Sequence, residues 1–324
     1  RIMQEQGVEV TALNFRTQFT CCQDLAGRAA LELGVQLTVL PTDDSYVDLI
    51  KRPRHGYGKG ANPCVDCRVY MFRKALDHLD DLGADFLVSG EVVGQRPKSQ
   101  KKRDLQLIAR ESDPMDRLLR PLSAKLLPPT LPEREGWVDR GRLYAFAGRG
   151  RKPLIALAKQ LGVERIPQPS TGCALTEPLF SRKVFDLIHK DDDAETWDFD
   201  LLRVGRHVRM DAATKVVLGR RESENARLAG LYGESPHDDV ALLEPQGFPG
   251  PTALVVGSND DASVACAGGL IVGYAKASEI DGVDDVSDSP EDDRDARFAK
   301  VRTPDATATR QLGRHAAALE ARTL

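Results

Sequence analysis

The sequence has no Gly-x-x-x-x-Gly-Lys-Ser/Thr run, which excludes a Walker-type phosphate loop. It has no apolar run of bilayer length and no pattern of a secretory leader, so neither a membrane span nor a membrane partner is expected. Cysteine is scarce and unevenly placed. Cys21 and Cys22 are adjacent, Cys64 and Cys67 are three apart, and Cys173 and Cys266 stand alone. Such usage excludes the dense disulfide framework of a small secreted protein, and a reducing cytoplasm is the expected compartment. Charge of one sign is also lacking: the net charge of −4 offers no global argument for nucleic acid, which must come from local patches. No internal repeat is present. What remains is an ordinary mixture, 41% hydrophobic and 29% charged over 324 residues, enough for about two domains with a substantial core.

The most informative stretch is GYGKGANPCVDCRVYMFRKA, residues 56–75. From Val69 the apolar residues recur at Phe72, Leu76 and Leu79, the spacing of a buried helical stripe, and Gly83 is placed to stop that helix. Cys64 and Cys67 therefore fall in the last loop and first turn of a helix. There the unpaired amides and the positive end of the dipole stabilise a thiolate. The pair suits metal binding or sulfur chemistry; the competing reading is two small half-buried thiols.

Around this stretch, residues 8–15 and 34–42 predict strands with a helix over about 23–33 between them. Short strands are expected at 86–88 and 118–123, and helices at 152–162 and 180–188. Strands alternating with helices predict an α/β fold, a parallel sheet with helices on both faces. Its ligands would lie beyond the carboxyl ends of the strands, where Ser89-Gly90-Glu91 and Arg120–Ser123 fall. Lys190-Asp191-Asp192-Asp193 is the expected linker. Beyond it, 201–210, 215–221, 252–258 and 269–276 read as short strands with one helix near 222–231, a small α+β domain over 195–278. Residues 279–297 are rich in Asp, Ser and Pro and predict an acidic disordered segment, with a short helix at 310–321.

Cys173, in Ser-Thr-Gly-Cys before another helix, adds a third thiol. Three thiols at two helix starts would hold an iron–sulfur cluster with one iron open, or would carry and resolve a persulfide; the competing reading makes Cys173 a core residue. Ser89, Gly90, Glu91 and Gln95 follow a strand, in a loop whose glycines permit close approach of a nucleotide. Arg96, Lys98, Lys101, Lys102 and Arg103 form a dense basic run, and Arg52, Arg54, His55 and Lys59 another. In the second domain Arg203, Arg206, His207, Arg209, Lys215, Arg220 and Arg221 predict a basic strand face. Such runs read either as phosphate contacts or as ordinary solvated faces.

GANPCVDCRVYMFRKA, LVSGEVVGQRPKSQ, LLRPLSAKLLPPTLPEREGWVDR and the Cys173 segment together resemble tRNA thiouridine synthases of the PP-loop ATP pyrophosphatase superfamily, related to 4-thiouridine synthetase and the 2-thiouridylases. The resemblance covers about residues 1–190. LLRVGRHVRM, KVVLGRRESENARL and GPTALVVG, within 201–274, resemble the RNA-binding module of the NFACT family. The first resemblance implies an adenine-nucleotide α-hydrolase-like fold and a tRNA sulfurtransferase using ATP with Mg. A uridine carbonyl would be adenylated and then displaced by sulfur. It implies that Cys64, Cys67 and Cys173 are catalytic, as ligands of a 4Fe-4S cluster or as persulfide thiols. Ser89, Gly90, Glu91 and Gln95 would border the nucleotide, and Arg96, Lys98, Lys101, Lys102, Arg103, Arg203, Arg206, His207, Arg209 and Arg220 would hold tRNA. The implied partners are tRNA, a sulfur donor (a cysteine desulfurase or sulfide) and a second copy in a homodimer. The superfamily's Ser-Gly-Gly-x-Asp-Ser loop after the first strand is absent, its place falling just before Arg1, so a truncated chain is expected. The alternative is a non-catalytic RNA-binding protein with a structural metal, such as zinc, on its cysteines.

Overall fold

The computed structural model describes residues 1–20, 24–166, 173–275, 297–312 and 322–323. The chain divides into two units, Arg1–Ser181 and Arg182–Leu324.

In the first unit, strand β1 (Thr11–Arg16) runs through helix α1 (Asp24–Leu33) into β2 (Gln36–Pro41), which pairs with it in parallel. Helices α2 (Asp44–Lys51) and α3 (Cys64–Asp77) follow. Then come β3 (Leu87–Val88), α4 (Lys102–Ser112) and β4 (Leu118–Leu119), with β3 and β4 again parallel. Short α5 (Leu131–Arg134), α6 (Lys152–Gln160) and α7 (Pro178–Lys190) complete the helices. The expected βα alternation is present, but its strands form two separate two-stranded pairs rather than one hydrogen-bonded sheet. Residues of β1 and β3 together line a cavity of about 760 Å³. Val65, Val69 and Phe72 of α3 pack with Ile108 of α4 and Leu118 of β4, the apolar stripe read from the sequence.

The second unit begins inside α7. Ser181 Oγ donates to the Leu175 carbonyl, whereas Lys183 Nζ, two residues on, donates to the carbonyls of Leu202 and Gly205. Helix α8 (Thr196–Leu201) leads to β5 (Arg206–Arg209), β6 (Lys215–Leu218), α9 (Glu222–Gly233), β7 (Val240–Gln246), β8 (Ala253–Val256) and α10 (Asp261–Tyr274). Strands β9 (Arg297–Thr303), β10 (Ala306–Leu312) and β11 (Arg322–Thr323) close an antiparallel sheet of order β10-β9-β7-β8-β6-β5-β11. Successive residues of a strand face opposite sides. Accordingly Val216, Leu218, Ala241 and Val255 pack with α10, and Val217, Leu242 and Leu254 with α8 and α9. Both faces are covered, so these strands carry almost no polar alternation.

Two expectations are corrected here. Residues 269–276 do not form a strand: through Tyr274 they belong to α10. Asp260 caps that helix by accepting from Ser263 N at 2.7 Å, and Val264, Ala267, Leu270 and Ile271 present a helical stripe to the sheet. A short apolar run does not distinguish the two by period alone. Arg310–Leu312 ends β10 instead of starting a helix. The rest of that predicted helix and the acidic segment 279–296 lie outside the described residues.

Candidate functional site

Three turns of chain bring the thiols together. Helix α3 starts at Cys64 with Pro63 at its N-cap, so Cys64 and Cys67 both sit in its first turn. Asp66, between them and almost buried, accepts from the backbone N–H of Arg54 (3.0 Å) and of His55 (3.1 Å). This ties the preceding basic run to the helix start. Cys173 is brought in by an isolated antiparallel bridge to Thr20, reinforced by Ala174 N donating to the Phe19 carbonyl at 3.0 Å. Cys64, Cys67 and Cys173 thereby line one cavity of about 380 Å³, together with Tyr46, Asn62, Arg68 and Arg96.

The thiols have different partners. Asn62 Nδ2 donates to Cys64 Sγ at 3.0 Å. Cys67 Sγ lies 3.3 Å from the Tyr46 hydroxyl and donates to Met71 Sδ at 4.0 Å. Burial pushes the Cys67 thiol up, against the opposing pull of Arg68 and the Tyr46 bond. The dipole-stabilised thiolate expected at this position is therefore not what its surroundings favour; desolvation outweighs the helix end. Tyr46 is raised well above the ordinary phenol range, first by its burial and then by Cys67, Cys173 and Cys64. All three sulfurs act on that one ring. Among the described residues no group of three or more His, Cys, Asp or Glu side chains is spaced to hold a metal ion. The thiols as arranged do not fit a cluster or a zinc ion, and no step below runs through one.

The loop expected to border a nucleotide divides. Ser89 and Gly90 line a second cavity of about 350 Å³, walled by Pro121, Leu122, Leu154 and Leu157. Glu91 turns inward: its Oε2 accepts from Arg120 Nε at 2.9 Å, and Arg68 Nε approaches its Oε1 at 3.5 Å, with both pair members under 5% exposed. Glu91 thus fixes the loop. Gln95 holds a turn through its N–H to the Val92 carbonyl and is not among the residues lining either cavity.

The basic residues also sort themselves. Arg96 is exposed and lines the thiol cavity, Lys98 Nζ donates to the His55 carbonyl at 3.3 Å, and Lys101, Lys102 and Arg103 stand exposed at the start of α4. In the second unit Arg203 is exposed, and Arg206 lies over the ring of Tyr274 at 4.3 Å. Arg209 is paired with Asp186. Arg220 clasps Glu224, whose pKa this arrangement lowers to about 2. His207 is wholly buried, its Nε2 3.0 Å from the Val204 carbonyl, and Lys215 is buried near Asp198. Neither contributes to a surface that could meet RNA, because alternation turns both into the covered faces of β5 and β6.

His207 has a measurable consequence. Burial, then Lys183 and Lys215, hold its pKa well below the ordinary histidine range. The unfolded chain takes up a proton near pH 6.5 and the folded unit does not. Its stability is therefore complete above about pH 6.5 and falls as pH drops below it, by about 1 kcal/mol over the first unit. Urea unfolding at pH 5.5 and 7.0 checks this: His207→Leu is expected to flatten the difference, whatever it does to stability at pH 7.

Reasoning from sequence missed Tyr46, Asn62 and Tyr274. Asn62 had one legible signal, its place in Gly-Ala-Asn-Pro-Cys. Tyr46 and Tyr274 had none, being apolar-stripe positions of α2 and α10.

Taken alone, these features define a mixed α/β unit with a three-thiol cavity, followed by an antiparallel α+β unit with stacked Arg–Tyr side chains. The comparisons are in keeping with that. Residues 205–307 match the family model described as NFACT protein RNA binding domain, which supports RNA as a partner. The tRNA-specific 2-thiouridylase MnmA of Methylobacterium nodulans is 33% identical over 121 residues, covering 32% of this chain. The match spans about a third of that relative's length (32%). A solved structure of the C-terminal part of the fibronectin/fibrinogen-binding protein from Streptococcus suis aligns over 85% of this chain and 96% of its own, with 11% identity and a TM-score of 0.26, too low to define the fold.

Proposed function

We propose that the chain is a tRNA-uridine sulfurtransferase that activates a uridine carbonyl with ATP and Mg and replaces its oxygen with sulfur held on cysteine. The observation that carries this reading is the convergence of Cys64, Cys67 and Cys173, more than a hundred residues apart at the extremes, on one cavity with Arg68 and Arg96. Two guanidinium groups beside thiols suit a substrate that is a polyanion. The partial likeness to a thiouridylase and the RNA-binding match are in keeping with it. Ser89 and Gly90 would seat the nucleotide against the apolar cavity they line. A single parallel sheet, in this reading, would need a further strand between β1 and β3, where the largest cavity of the first unit opens.

The basic start of α4 would meet tRNA phosphates. Lys101, Lys102 and Arg103 add positive charge where the helix dipole is already positive, an arrangement that repels itself until an anion joins it. In the second unit the Arg206–Tyr274 stack would take an unpaired base. Base–aromatic stacking is worth roughly 1–3 kcal/mol, so Tyr274→Ala is expected to weaken binding of a single-stranded RNA oligonucleotide about tenfold. Fluorescence anisotropy at fixed salt checks this, and equal affinity of Tyr274→Ala and the parent would remove Tyr274 from the interface.

The sulfur would come from a cysteine desulfurase or from sulfide. The test is a nucleoside profile of bulk tRNA from cells lacking the gene and complemented with the parent, Cys67→Ala or Cys173→Ala in otherwise identical full-length sequence. Loss of one thionucleoside, restored by the parent and by neither variant, is the expected result. An unchanged profile in the deletion strain would leave RNA binding without this chemistry.

A further inference from the structure

We infer that Cys64 is the thiol that accepts sulfur, and that Asn62 is the positioning residue that makes it so. The inference rests on the sulfurtransferase reading only for its biological use.

The three cavity thiols differ in what points at them. Cys64 Sγ receives an amide N–H at 3.0 Å, a contact that favours the sulfur when it carries negative charge. Cys67 Sγ is itself a donor, to Met71, and lies in surroundings that penalise its charge. Which end of the Asn62 amide faces the sulfur is fixed by its other contact: Gly60 N donates to Oδ1 at 3.0 Å, leaving Nδ2 for Cys64.

The loop is built around that amide. Gly58 N donates to the Asn62 carbonyl at 2.9 Å, and a Cβ on Gly58 would stand 2.2 Å from Asn62 Nδ2. A Cβ on Gly60 would meet Ser181 Oγ at 2.4 Å and the Leu175 carbonyl oxygen at 2.6 Å. Ser181 Oγ in turn accepts from Ala61 N at 3.2 Å. Two glycines and a buried serine thus hold one side chain in one orientation. Asn62 itself is 6% exposed, so water does not compete for its amide.

The step is redox-neutral. The Cys64 thiolate attacks a sulfane sulfur of a persulfide or polysulfide donor. The donor's S–S bond breaks, its remainder leaves as a thiolate with the electron pair, and Cys64 keeps a persulfide whose outer sulfur is anionic. Asn62 then faces a sulfur that has just lost its charge to its neighbour, which frees the outer atom for transfer.

The test uses the full chain without ATP or tRNA. The protein is treated with sodium tetrasulfide and quenched with iodoacetamide, and the Gly60–Arg68 peptide is sequenced by tandem mass spectrometry. Each rate is divided by that of the same protein in urea, which removes differences in folding. The parent is expected to place the extra sulfur on Cys64, with Cys67 at least about tenfold slower. Asn62→Ala should slow Cys64 loading about tenfold, the loss of one hydrogen bond to a charged group. Asn62→Asp should slow it at least as much, although it keeps an acceptor for Gly60 N–H, because an acceptor then faces the sulfur. A purely structural Asn62 predicts the reverse order, with Asp better than Ala, and that order overturns the proposal. So does sulfur appearing first on Cys67 or Cys173, or on no cysteine. Loading on Cys64 in a protein that leaves tRNA unchanged would sustain this inference while the sulfurtransferase reading fails.

Discussion

Arg120→Ala is expected to destabilise the first unit by about 3–5 kcal/mol, the usual penalty for removing one member of a buried ion pair. Arg120 and Glu91 are 4% and 3% exposed, and their contact is 2.9 Å long. Removal of the guanidinium strands a carboxylate in the interior, with only Arg68 at 3.5 Å to offset it. The lost cation also lay over the Phe72 ring, at 5.8 Å. For a unit of this size the first thermal transition should fall by roughly 10 °C. The control is the double variant Glu91→Gln, Arg120→Met, which removes both charges and keeps the volume. It should recover much of the loss, since an apolar replacement of a whole pair is often near neutral. A single variant as stable as the parent in differential scanning calorimetry would show that Glu91 is solvated and free to meet a ligand after all.

In the second unit the corresponding substitution is Asp198→Ala, with an expected cost of about 3–5 kcal/mol. Asp198 serves three partners from one almost inaccessible carboxylate. It accepts from Glu195 N at 3.1 Å, closing the capping box of α8, lies 3.1 Å from His237 Nε2, and faces Lys215 Nζ at 3.9 Å. Burial lowers the Lys215 pKa and Asp198 pulls it back up. Without that carboxylate Lys215 would shed its proton more readily, so Asp198→Ala should hurt most below pH 8 and less as pH rises. Asp198→Asn, which keeps one acceptor oxygen for the cap but removes the charge, should fall between the two. Urea midpoints of the three proteins at pH 7 and 9 check the order. Equal midpoints would mean that the ammonium reaches water by another route.

The residue pattern alone determined a good deal here. Helix α3 was legible because Val69, Phe72 and Leu76 keep the helical period, and a stripe of that length has one way to be buried. The βα alternation of the first unit and the strands at Lys215–Leu218 and Ala253–Val256 were legible for the same reason. Local order follows local pattern. The segment 269–276 failed because a helix covered by a sheet and a strand covered by helices are apolar on the same residues. The basic face failed in part for a related reason. Sequence shows that His207 and Lys215 carry charge-bearing atoms, but only the pairing of β5 with β6 decides which side they take, and a one-residue shift of register would have reversed it. Glu91 shows the same limit: beside Ser89 and Gly90 in the chain, it is turned away by Arg120, a residue twenty-nine positions later. The thiols were chosen correctly as a set, since their types and spacing are written in the chain. Their differences were not, because Asn62, Tyr46 and the buried environment of Cys67 reach the sulfur only through the folded loop. Which atoms carry chemistry was set by composition and spacing; which of them is charged, paired or accessible was decided by desolvation and by partners distant in sequence.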